Sequence, residues 1–221
     1  MHRRAVAALV ATAAAAATLA APAPARAEPS DRELFGFGVG LAIPTYFVGV
    51  TLHEGSHAVA TKLMGGSVTQ VHLWPGRNPY TGVFNFGWVR VQGLTTRAQR
   101  NTMLLAPKLT DLVLFGGWTA LWATDNLPGN DWGEAALLVL ATGFWVDFTK
   151  DVFVFHRHND VVKVYASYGL QTEWQRLPPR LLHAAASVGL GWLLYRGYDH
   201  LFTGNDGAST ARIVPVLSTT F

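Results

Sequence analysis

The 221-residue chain contains no cysteine. A disulfide framework and a thiolate metal site are therefore both excluded, and any metal must be held by imidazole and carboxylate groups. Charge is also scarce: 14% of residues are Asp, Glu, Lys or Arg, against 50% hydrophobic. That balance is apolar for a soluble domain of this length and fits several membrane spans within one domain. The net charge of +3 comes from lysines and arginines scattered among loops between apolar runs. They form no basic patch of the kind that binds nucleic acid, and they read as topology determinants. No internal repeat is visible.

The run from Leu34 to Leu52 carries no charged residue, and His53-Glu54-Gly55-Ser56-His57 follows it directly. Residues four apart on a helix project from the same face. The spacing thus lets both imidazoles reach one zinc ion, with Glu54 beside the water that the ion activates. Burying two histidines and a carboxylate next to apolar residues is costly unless a metal or another partner compensates. The position of the motif predicts chemistry in or at a membrane.

Four stretches approach the ~20 residues that a spanning helix needs: about 34 to 62, 103 to 123, 134 to 155 and 180 to 202. Lys108 and Asp111 interrupt the second, Asp147, Lys150 and Asp151 the third, and His183 and Arg196 the fourth, so those helices are expected to turn polar stripes inward. The connection 65 to 102 holds Arg77, Arg90, Arg97 and Arg100, and 156 to 180 holds Arg157, Lys163, Arg176 and Arg180, whereas 124 to 133 has no Lys or Arg. By the positive-inside rule this alternation puts the HEGSH end of its helix on the cytoplasmic side, with Trp122 and Trp132 as anchors at the opposite interface.

Residues 1–27 have the layout of a secretory signal, with basic Arg3 and Arg4, an alanine-rich stretch and Ala25-Arg26-Ala27 as a cleavage site. A single membrane domain would then cover 28–202, and the Gly-, Ser- and Thr-rich residues 203–221 would form a flexible tail. Gly65-Gly66 stops the first helix. Alternation of Phe84, Phe86 and Trp88 with their neighbours, and the turn-rich PGRNPYTG before them, predict a β-hairpin at 67–92. It would serve as a cover over the helices or as a template that adds a substrate strand by edge pairing.

Two histidines leave a catalytic zinc site one protein ligand short. A metzincin would continue HExxHxxGxxH, but Ala60 and Leu63 hold those positions. Only Glu134 and Glu173 follow the motif, and Glu134 is expected on the far side of the membrane, so an aspartate is the better candidate. Asp147 and Asp151 share a helical face, Asp111 is a further contender, and Asp160 either ligates or caps a helix before Val161. His156 and His158, beside Arg157, read as a solvated basic edge, and His72 and His183 as structural.

The segments LHEGSHAVATKLMGG and VTQVHL resemble the site-2 protease family of intramembrane zinc metallopeptidases, in particular its small bacterial members with an HEGGHA-type motif. LLAPKLTDL at 104 to 112 and HNDVVKVYASYGL at 158 to 170 resemble later family segments more weakly. The resemblance implies His53 and His57 as zinc ligands, Glu54 as general base and Asp160 as the third ligand. The family's usual Asn-Pro-x-Asp-Gly form is absent around Asp160, and Asp147, Asp151 and Asp111 stay open for that role.

The expectation is a mainly α, polytopic bundle of about four spans with an inserted β-hairpin, multi-pass in a bacterial inner membrane. Its activity would be zinc-dependent hydrolysis of membrane-protein or peptide substrates, with the lipid bilayer and no nucleic acid as partner. The alternatives are an inactive pseudoprotease acting as a binding or scaffold protein, and a metal-handling membrane protein.

Overall fold

A computed structural model describes residues 29–203. The expected signal segment and all but the first residue of the expected tail lie outside the described residues. The fold is mainly helical with a small sheet. Helix α1 (Asp31–Leu63) is followed by four short strands, β1 (Ser67–His72), β2 (Gly76–Arg77), β3 (Phe84–Asn85) and β4 (Trp88–Gln92). Helices α2 (Arg97–Ala123), α3 (Asp131–Lys150), α4 (Asp160–Ser167) and α5 (Glu173–Thr203) complete the chain.

Each boundary has a local cause. Ser30 and Glu33 form a reciprocal capping box that starts α1, and Gly65, at φ +82°, lets the chain leave it. Pro44 lies inside α1 without ending it. The expected second span starts earlier, at Arg97, because Thr96 and Gln99 form a second capping box. The expected third span, 134 to 155, is corrected at its end: α3 stops at Lys150, and residues 151 to 159 turn back toward the bundle.

Helices α1, α2 and α3 pack on one another, α5 packs on α3, and the short α4 leans on α2. Close approach is possible where glycine meets a neighbour: a Cβ on Gly143 of α3 would lie 2.8 Å from Thr45 Cγ2 of α1. The apolar core, with Leu34, Phe115, Trp118, Leu138, Leu194 and Leu201, gathers where α1 and α3 begin and α2 and α5 end. The opposite end of the bundle is polar. Among the described residues one helix, α1, is long and apolar enough to cross a membrane.

β1 and β4 pair antiparallel, and β2 pairs with β3 further out on the same hairpin, with a register shift between Val68 and Gln70. The regular alternation of Phe84, Phe86 and Trp88 does not give the three rings one environment. Phe84 and Phe86 are exposed and Trp88 is buried against His72, because the ladder breaks between Asn85 and Trp88.

Candidate metal centre

Helix α1 carries His53, Glu54 and, one turn on, His57, and the two imidazole rings lie 5.1 Å apart, edge to face. Both rings are held from behind through Nδ1. His53 Nδ1 is 2.8 Å from Asp147 Oδ2 on α3, and His57 Nδ1 is 2.8 Å from the Met103 carbonyl on α2. Ser56 adds a second tie to α2 through Thr110, oxygen to oxygen at 2.7 Å. Acceptors at both Nδ1 atoms put the ring protons there, so each Nε2 offers a lone pair to the interior.

Those Nε2 atoms face Asp160. Its Oδ2 is 3.0 Å from His57 Nε2 and 4.0 Å from His53 Nε2, and the three ligand-type atoms lie within 4.8 Å of one another. A tetrahedral ion with arms of about 2.0–2.1 Å separates its ligands by roughly 3.3–3.4 Å, which is the scale of this group. The contact also has the wrong sign for neutral partners. An imidazole that donates through Nδ1 presents a lone pair to a carboxylate, and two acceptors at 3.0 Å need a cation or an extra proton between them. His53, His57 and Asp160 thus form a group that could hold a metal ion.

Asp160 reaches the histidines although it lies beyond α3 in sequence, because the 151 to 159 turn folds α4 back under the bundle. Arg180 of α5 builds that turn. It donates to the carbonyls of Asp151, Val152 and Val154 at 3.2, 2.9 and 2.9 Å, and its guanidinium lies 4.3 Å from the Phe155 ring centre. Arg180→Met would leave these carbonyls without their donor and is expected to cost about 3 kcal/mol or more, read as a lower unfolding temperature in detergent. An unchanged transition would show that the turn holds without it.

Asn159, not Asp160, caps α4: its side chain accepts from the Val162 amide at 3.1 Å. The Asp160 carboxylate is therefore free of the cap and can face the imidazoles. Lys163, one turn on, donates to Asp160 Oδ1 at 2.8 Å, leaving Oδ2 for the histidines.

The other candidate ligands are placed differently. Asp147 receives His53 from its outer side and also bonds Lys108 and Lys150, so it orients a ligand and does not join the group. Asp151 and Asp111 both face Lys108, at 3.0 and 3.6 Å. Glu134 lies at the far end of the bundle with Trp118 and His200, and Glu173 pairs with Arg176 and Arg180. His183 bonds the Phe148 carbonyl at 2.9 Å, and His72 stacks on Trp88.

Glu54 is buried beside His53 and opens on the same cavity, of about 1280 Å³, which runs from the histidines along α1 between α3 and the hairpin. The hairpin closes over it through Gly87, where a Cβ would lie 2.9 Å from Val50 Cγ1, 3.0 Å from Glu54 Cγ and 3.0 Å from the His72 carbonyl. Only a residue without a side chain lets the strand lie this close. Gly87→Leu is expected to lift the hairpin from Glu54, detected as faster proteolytic nicking in the 75 to 82 turn; equal nicking would show that the strand absorbs the change.

Lys108, Asn159, Lys163 and Arg180 were not singled out as parts of the site by sequence. Asn159 had a readable signal, an Asn immediately before a helical apolar run. Lys108 and Arg180 had none, since their partners lie on other helices. No family model matches the chain, and neither do any of the curated proteins or solved structures compared with it.

Proposed function

We propose that the chain is a zinc-dependent intramembrane peptidase, with α1, α2, α3 and α5 as its spans. The observation that carries this reading is the pair of Nε2 atoms facing the Asp160 carboxylate, next to the buried carboxyl of Glu54. Three protein ligands of N and O type with a neighbouring acid form the donor set of a catalytic rather than a structural zinc site. The four-span arrangement is supported by where the charges sit. Lys108, Asp111 and Arg180 are buried in the bundle, while Val113, Leu182 and Val188 stand more than 70% exposed on the outer faces. Inward charges lower the mean hydropathy of a helix without wetting its outer surface.

Zinc bound by His53, His57 and Asp160 would acidify water to a pKa of about 7 and polarise the scissile carbonyl. The protein's own part is then proton transfer and positioning. Glu54 takes a proton from the attacking water as oxygen adds to the carbonyl carbon, and returns it to the departing amine nitrogen as the C–N bond breaks. The products are a carboxylic acid and an amine, with one water consumed. Asn85, Phe86, Gly87 and Val89, where β3 passes into β4, line the cavity, so an extended substrate can lie along this segment while its carbonyl approaches Glu54.

The purified chain is expected to contain one zinc per molecule and to cleave single-span peptides in proteoliposomes, best where a helix-breaking residue leaves carbonyls unpaired. Stripping the metal with a chelator should stop cleavage, and adding zinc back should restore it. Tight zinc binding without cleavage of any such peptide would favour a binding protein on the same scaffold, and zinc flux across vesicles a metal carrier.

A further inference from the structure

Beneath the metal group lies a buried lysine that touches none of its ligands. Lys108 is 6% exposed, and its ammonium lies 3.2 Å from Asp147 Oδ2 and 3.0 Å from Asp151 Oδ2, with Asp111 at 3.6 Å. It also donates to the Asp147 carbonyl. Burying three carboxylates around one ammonium is expensive, and apolar residues of similar volume would fill the space at lower cost. The arrangement therefore calls for a reason other than stability.

Two chains of contact leave this lysine, and each ends at a ligand. One runs through Asp147, whose Oδ2 is shared between Lys108 and His53 Nδ1. The other runs through Asp151, whose Oδ1 accepts from Asn159 Nδ2 at 2.7 Å. Asn159 in turn caps α4 and fixes the first residue of that helix, Asp160. The third ligand, His57, is held by the Met103 carbonyl on the same helix as Lys108.

We infer that Lys108 is a positioning residue that sets the spacing between His53 and Asp160, through Asp147 on one side and through Asp151 and Asn159 on the other. The inference rests on the metal site proposed above. A single cation bonded to both arms couples them: a shift of α3 that turned Asp147 away from His53 would also move Asp151 and the α4 cap. Residues that orient ligands from outside in this way typically change metal affinity by about 10- to 100-fold when replaced.

The test uses Co²⁺ as probe on the full chain in detergent, with affinity measured by chelator competition and geometry by the visible d–d absorption. Lys108→Gln keeps a donor but removes the charge, and is expected to weaken Co²⁺ binding roughly tenfold or more. Because that variant can also fail to fold, Asn159→Ser carries the argument independently. Serine still caps α4, but it is too short to reach Asp151. It should weaken Co²⁺ binding by about tenfold and alter the absorption band, while the metal-free unfolding temperature stays put. In the double variant the losses should fall short of additive, since both lie on one path.

If wild type binds Co²⁺ and Asn159→Ser binds it within about twofold with the same spectrum, the positioning role is wrong although the metal site stands. If wild type takes up no Co²⁺, the metal site itself falls, and this inference with it.

Discussion

Glu54→Gln is expected to lower peptide hydrolysis by roughly 10²- to 10⁴-fold while leaving zinc bound. Glutamine has nearly the same shape as glutamate, so the packing of Glu54 against Val50 and Gly87 survives, and neither metal-facing nitrogen nor Asp160 is touched. What is lost is the basic oxygen that, in the proposed mechanism, accepts the proton of water and hands it to the leaving amine. Because Glu54 is buried and the cavity offers few free carboxylates, no neighbour can take over: Asp147 and Asp151 are each committed to Lys108, and Asp160 to His57 and Lys163. The measurement is a single-turnover cleavage rate set beside metal content on the same preparation. Full activity with zinc retained would remove Glu54 from the mechanism, and loss of zinc would make it a ligand instead of a base.

Asp160→Ala should have the largest effect on the metal itself, a fall in zinc affinity beyond the 10- to 100-fold seen for outer groups, because it removes one of the three proposed protein ligands. The comparison that gives this its force is Asp147→Asn. There the amide oxygen can still accept from His53 Nδ1, so the ring keeps its tautomer and only the ion pairs with Lys108 and Lys150 weaken. A loss nearer tenfold is expected. Both affinities can be read by competition with a chelator in detergent. If the order reversed, with Asp147→Asn losing the metal and Asp160→Ala keeping it, the third ligand would be Asp147.

How far these residues could be read from the sequence depends on how local their cause is. His53, Glu54 and His57 form a pattern within one helical turn, and their geometry follows from helix periodicity alone. The hairpin was legible for a similar reason, from alternation and turn residues, though the break that separates Phe86 from Trp88 was not. The place of Asp160 was harder to read. It follows the third long helix in sequence, and only the turn held by Arg180 from α5 brings it back to His57. That turn depends on hydrogen bonds between residues more than twenty positions apart, for which no spacing rule exists. Asp147 and Asp151 were rightly noticed as inward-facing, yet their partner Lys108 sits about forty residues earlier, so pattern alone could not separate ligand from support. Charge in the later helices keeps their hydropathy below that of α1 while marking where the polar interior lies.

Anomalous-scattering crystallography on zinc-equilibrated protein tests the metal centre most directly. The account predicts a single zinc peak about 2.0–2.2 Å from His53 Nε2, His57 Nε2 and an Asp160 oxygen, with Asp147 outside the coordination sphere and bonded to His53 Nδ1. A peak held instead by His156 and His158, or no peak after equilibration with zinc, would contradict it.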